Sequence, residues 1–109
     1  MAVAERPQHL EALEKANAVR FARADLKKEL RTLTYSEGLE RIAALLLDPP
    51  SELATMNVER LVLVVPGFGR KRSNRALAKA GISPFRSVEA LTLRQAAALA
   101  ECLRMEAAR

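Results

Sequence analysis

The residues best suited to chemistry in this chain lie in one run, Pro66-Gly67-Phe68-Gly69-Arg70-Lys71-Arg72-Ser73-Asn74-Arg75. Two glycines one residue apart open backbone conformations closed to other residues, and their missing side chains let a ligand reach the main chain. A helix starting directly after them aims unpaired N–H groups and the positive end of its dipole at the same spot. Amides arranged in this way cradle a phosphate. Arg70, Lys71 and Arg72 follow at once and Arg75 lies one turn beyond, so neighbouring phosphates meet side-chain cations. The chemistry indicated is anion binding. Its candidate contacts are Pro66, Gly67, Phe68, Gly69, Arg70, Lys71, Arg72 and Arg75, with Arg86 as a further cation downstream. Phe68 is expected to pack inward and lock the two flanking helices. Pro66 and Phe68 also offer an apolar wedge between base steps as an alternative. The competing reading is a turn that merely joins two core helices.

The charge pattern favours a polyanion. The chain of 109 residues carries a net charge of +5. Residues 59–86 hold seven basic residues and one acid, Glu59, whereas the remainder holds 11 basic and 12 acidic residues. All the excess positive charge therefore sits on about a quarter of the chain, the footprint of a nucleic-acid partner. No residue set is built to read base edges, which points to backbone recognition with little sequence preference; entry of Asn74 and Arg75 into a groove is the alternative, exposed polar residues on a basic helix being usually plain surface. A single-stranded RNA platform needs exposed aromatics for stacking, and Phe21, Tyr35, Phe68 and Phe85 are too scattered to make one. Structured RNA, or an acidic protein surface met by the basic helix, stand as the alternatives. The recurrence of Arg20, Arg23, Lys27 and Arg31 at three- or four-residue spacing puts a second cationic stripe on the first helix, a candidate for secondary DNA contacts.

Catalysis finds no support. The sole histidine, His9, and the sole cysteine, Cys102, have no evident partner, and no carboxylate pair or metal-ligand spacing stands out. No enzyme activity, cofactor or metal is expected. One cysteine cannot close an internal disulfide, no apolar run approaches the length of a membrane span, and residues 1–7 lack the pattern of a signal peptide. These features predict a cytoplasmic protein.

The elements that must position the turn are helical. Apolar residues make up 50% of the chain but aromatics only 4%, and β-branched residues cluster only in residues 58–65. That balance predicts an all-α single domain of about five helices. A long first helix spans about residues 8–32, opened by Pro7 and too sparse in apolar residues to be buried throughout. Residues 1–32 are read as this helix with a flexible start, and residues 33–109 as the binding domain. Thr34-Tyr35-Ser36-Glu37 has the spacing of a capping box for a second helix whose apolar face is Leu39, Ile42, Ala43, Leu46 and Leu47. Asp48-Pro49-Pro50 ends it. Residues 51–54 predict one helical turn. Asn57 is placed to cap residues 58–64, read as helix because a lone strand would find no partner. A basic helix over residues 70–79 ends at Gly81, residues 82–86 form a loop, and Thr92-Leu93-Arg94-Gln95 caps the last helix toward Met105. The absence of a sustained heptad predicts a monomer.

The stretch from Val64-Val65-Pro66-Gly67-Phe68-Gly69-Arg70 to Ala80-Gly81-Ile82 resembles the helix–hairpin–helix signature of DNA-binding proteins. More specifically, the chain resembles the actinobacterial integration host factor family. The likeness runs from Ala12-Leu13-Glu14-Lys15-Ala16 through Arg23-Ala24-Asp25-Leu26-Lys27 and Met56-Asn57-Val58 into the last helix. It implies a long N-terminal helix followed by a helix–two-turns–helix core, and a nucleoid-associated protein that binds double-stranded DNA. It also implies DNA bending and help for a recombinase in site-specific recombination. Gly67, Gly69, Arg70 and Arg72 match the family's phosphate-binding loop. The family's basic, glycine-containing run before its final helix is replaced by Arg86-Ser87-Val88-Glu89-Ala90-Leu91-Thr92, of which only Arg86 and Leu91 match.

Overall fold

The computed structural model describes residues 8–109, with side chains from Leu10 onward, and the expectations for residues 1–7 and for His9 lie outside that part. Helix α1 runs Gln8–Arg31 and α2 runs Tyr35–Leu47; the single-turn α3 is Ser51–Ala54. Helix α4 is Val58–Leu63, α5 is Arg70–Ala80, and α6 is Leu93–Ala107. A 3₁₀ turn at Val88–Ala90 precedes α6. No strand forms among the described residues, and the fold is all-α.

The predicted caps start the helices where expected. The Thr34 hydroxyl accepts from the Glu37 amide at 3.1 Å while the Thr34 amide donates to the Glu37 carboxylate at 2.8 Å. Thr92 and Gln95 repeat the arrangement at α6. The Asn57 side chain accepts from the Arg60 amide at 3.1 Å and opens α4. Within that β-branched run, Val58, Leu61, Val62 and Val65 are buried at i, i+3, i+4 and i+7, the spacing of one helical face. Core burial thus overrides strand propensity. The basic helix α5 runs one residue longer than expected, and Gly81 ends it in the left-handed region at φ 70°.

α2 and α6 make the most extensive helix pair, and α5 packs across α6 beside them. α2 buries Leu39, Ile42, Ala43, Leu45 and Leu46. Its expected apolar face is corrected at one position: Leu47 is 45% exposed and Leu45 takes its place in the core. The contacts of α2 with α6 and α4 set which arc of the helix is covered. From α6, Leu99, Ala100 and Leu103 enter the core. α1 joins only through its C-terminal half: Leu26 and Leu30 are buried, whereas residues 10–16 are all exposed.

The segment after α5 is more ordered than a plain loop. The Val58 amide donates to the Arg86 carbonyl and the Val88 amide to the Met56 carbonyl, both at 2.9 Å. The Asn57 side chain donates to the Pro84 carbonyl at 2.8 Å. This short antiparallel bridge seats Val88 in the core and pins the segment to the start of α4. The turn at residues 64–69 lies at the other end of α4, where Gly38 of α2 comes so close that a Cβ there would sit 3.2 Å from Val65 Cγ1.

Candidate nucleic-acid interface

The turn owes its shape to two different glycines. Gly67 has φ 89°, a left-handed conformation costly for other residues. A Cβ at Gly67 would also meet the Tyr35 ring at 3.4 Å. Gly69 is unlike it. Its backbone is extended at φ −82° and ψ 170°, open to any residue, and a Cβ there would meet nothing within 4 Å. Nothing inside the protein requires a glycine at position 69; a ligand lying against the main chain would.

The Phe68 amide closes the turn by donating to the Val65 carbonyl at 3.1 Å, and the Ser73 amide donates to Gly69 at 3.0 Å. Between them stand the first amides of α5, and no side chain caps this helix. Thr34, Asn57 and Thr92 cap α2, α4 and α6, whereas the single-turn α3 and the 3₁₀ turn share the uncapped start of α5. No acid occupies the first turn of α5. Unpaired donors and the positive dipole end therefore face solvent together.

Around this point the structure brings together Pro66, Gly67, Gly69, Arg70, Lys71, Arg72 and Arg75, all exposed. Ser73, Ala76 and Leu77 form the buried face of α5, which leaves its cations on the outer side. Phe68 is the exception. At 5% exposure it belongs to the core, where it locks the turn to the helices beneath. That argues against the Phe68 side chain as a DNA contact or wedge: it is buried, and of the two wedge residues only Pro66 is exposed.

Arg86 does not join the turn. Its backbone is held at the start of α4, a helix of six residues and about 9 Å from the turn at its other end. The stripe on α1 divides. Arg23 and Lys27 face Arg60 of α4 across a cleft of about 430 Å³ floored by Met56, Leu63 and Val64. No ion pair engages these three cations among the described residues, and the Arg23 Nε is shut from solvent with no hydrogen-bond partner. Arg20 lies farther along α1, where it and Arg23 line a depression with Ser51, Glu52 and Thr55. Arg31 is exposed near the end of α1 and lines neither cleft.

Sequence reasoning missed the surroundings of Arg72. Its Nη1 donates to the Tyr35 hydroxyl at 2.9 Å and stands 3.6 Å from Glu106 Oε2. The Tyr35 hydroxyl donates in turn to that oxygen at 3.4 Å. The hydrogen bond to the Tyr35 oxygen first, then attraction to that oxygen and to the Glu106 carboxylate, raise the Arg72 guanidinium above its ordinary pKa. Tyr35 and Glu106 stand 37 and 34 positions from Arg72, so no local pattern announces them. Arg60 in the α1–α4 cleft was counted in the charge and not assigned to a site. Cys102, half-buried on α6, lines a groove with Phe68, Arg75 and Met105. No group of three His, Cys, Asp or Glu residues suited to a metal occurs among the described residues, and no helix there is long and apolar enough to cross a membrane.

The fold and this turn together define a class: a small all-α protein in which a short buried helix, a glycine turn and a basic helix present unpaired amides amid exposed cations. The chain is 34% identical over 96 residues to the integration host factor of Mycobacterium tuberculosis (strain ATCC 25618 / H37Rv), a match covering 86% of this chain and 87% of that protein. No family model matches the chain, and no solved structure does. The chain belongs to the actinobacterial integration host factor family.

Proposed function

We propose that the protein binds the phosphate backbone of duplex DNA through the turn at residues 66–69 and the first turn of α5, with little sequence preference. The observation that carries this reading is the uncapped start of α5, with an extended Gly69 open to solvent on one side and Arg70, Lys71 and Arg75 on the other. One phosphate is taken by the backbone amides and its neighbours by the side chains. The relationship to a protein named for integration supports an architectural role at the nucleoid, in the cytoplasm, rather than a catalytic one. In that role a monomer bends DNA and assists a recombinase in site-specific recombination. Bending would come from wrapping around the cationic surface, because the buried Phe68 argues against the two-residue wedge.

Binding to a random duplex over a series of salt concentrations tests the reading. With five or six side chains at phosphates, log K falls with log salt at a slope of about −5. Changing Arg70, Lys71 and Arg75 together to alanine weakens binding and flattens the slope by about three. A triple variant that binds as tightly as the wild type moves the interface elsewhere. A wild type that ignores DNA but retains duplex RNA makes structured RNA the partner. Energy transfer between end-labelled fluorophores reports bending, and an unchanged distance at saturation removes that part.

A further inference from the structure

We propose that Tyr35 and Glu106 are positioning residues that hold the Arg72 guanidinium ready for a DNA phosphate beside the glycine turn; the inference rests on the DNA-binding reading above. Tyr35 touches the site twice. Its ring lies under the turn, with Cδ1 3.4 Å and Cε1 3.7 Å from where a Gly67 Cβ would be, and its hydroxyl receives Arg72 Nη1 at 2.9 Å. The same ring lies 5.9 Å from the guanidinium carbon, within cation–π range. Glu106 is itself fixed: its side chain is only 20% exposed, Oε2 accepts a hydrogen bond from the Tyr35 hydroxyl, and Oε1 lies 3.7 Å from Arg109 Nη1. The Ser36 hydroxyl donates to the Ala107 carbonyl at 2.8 Å and ties the start of α2 to the end of α6 beside this cluster.

Which edge of Arg72 is engaged decides the role. A guanidinium offers five N–H donors in a planar fork. Tyr35 and Glu106 meet it at Nη1, the nitrogen on the Cδ side. Nε and Nη2, which form the edge able to take two oxygens of one phosphate, have no partner among the described residues. Arg72 remains half-exposed, at 53%. A free arginine must lose rotamer freedom when it binds. Here the protein imposes that order beforehand, and Arg109 shares the charge of the carboxylate that would otherwise compete with phosphate.

The test is a double-mutant cycle read by duplex affinity at fixed salt. Tyr35→Phe removes one oxygen, keeps the ring under Gly67 and leaves the net charge unchanged. It raises Kd about three- to tenfold, the cost of ordering one long side chain. In an Arg72→Ala background the same change leaves Kd where it was. Arg72→Lys behaves like Arg72→Ala toward Tyr35→Phe, because lysine lacks the fork. Equal losses in both backgrounds make Tyr35 merely structural and overturn the proposal, as does tighter binding by Tyr35→Phe. Should Tyr35→Phe lower the melting temperature, Glu106→Gln is read through the same cycle, where absence of coupling to Arg72 overturns the proposal. If binding is lost in Arg70→Ala/Lys71→Ala but untouched by Tyr35→Phe and Arg72→Ala, this inference falls and the DNA reading stands. If the wild type binds no duplex, both fall.

Discussion

Two glycines of one turn are expected to respond in different ways to the same substitution. At Gly67 an alanine must hold φ 89°, a strain of about 1–2 kcal/mol that a thermal melt registers, while its methyl only touches the Tyr35 ring. At Gly69, the N-cap of α5, an alanine sits in an extended conformation with free space around it; the stiffer unfolded chain offsets the poorer cap, so stability holds to within about 0.5 kcal/mol. DNA affinity nevertheless drops for Gly69→Ala, because the new methyl stands where the backbone of the ligand must come. A Gly69→Ala variant with unchanged Kd would show that phosphate does not approach the turn closely. Phe68 belongs to folding. Phe68→Ala costs about 3–5 kcal/mol of stability by leaving a cavity beneath the turn, and its DNA affinity falls only as the fold is lost.

Among the elements, caps and bridges carry stability while the start of α5 is left open. Thr34→Ala and Thr92→Ala each remove the side-chain half of a capping box and cost about 1 kcal/mol, read as a lower denaturant midpoint with unchanged DNA affinity. Asn57→Ala costs more than either. It loses the cap on α4 and also the bond to the Pro84 carbonyl, which helps pin residues 84–88 to that helix. An Asn57→Ala variant no less stable than the Thr34→Ala variant would show that the bridge contributes nothing of its own. Capping α5 reverses the pattern: Gly69→Asp supplies the missing acceptor and a charge favourable to the dipole, which stabilises the helix and repels phosphate. The missing cap is thus a vacancy in the stability of the helix that a ligand's anion can fill.

Across the whole molecule the question is how far the cationic surface extends beyond the turn. Arg23, Lys27 and Arg60 come from two helices far apart in sequence and face a common cleft that ends at Val64, next to the turn. Changing all three to alanine reduces the salt slope by about two to three if the same duplex lies over both. An unchanged slope confines the interface to α5. Arg31 serves as the control, since it lines neither α1 cleft: Arg31→Ala changes affinity only through net charge.

Periodicity, caps and charge are local properties, and they were legible in the chain. Thr34 with Glu37, Asn57, Gly81, and Thr92 with Gln95 each act on backbone groups within a few residues, so six α-helices fall close to their expected places. The reading of residues 58–64 as helix holds for a related reason: a strand with no partner leaves its amides unpaired, whereas the helical spacing of Val58, Leu61, Val62 and Val65 buries all four. The candidate turn was likewise visible, because glycines, a helix start and clustered cations are adjacent in sequence. What the chain alone did not reveal depends on residues distant in sequence meeting in space. Only packing of α2 on α6 brings Tyr35 and Glu106 to Arg72, and only the seating of α1 on α3, with a cleft left between α1 and α4, divides its basic stripe. The burial of Phe68 and Leu45, the exposure of Leu47 and the bridge from Asn57 to Ser87 have the same origin. A residue's own neighbours set its backbone; which side of it meets protein and which meets solvent is set by elements tens of residues away.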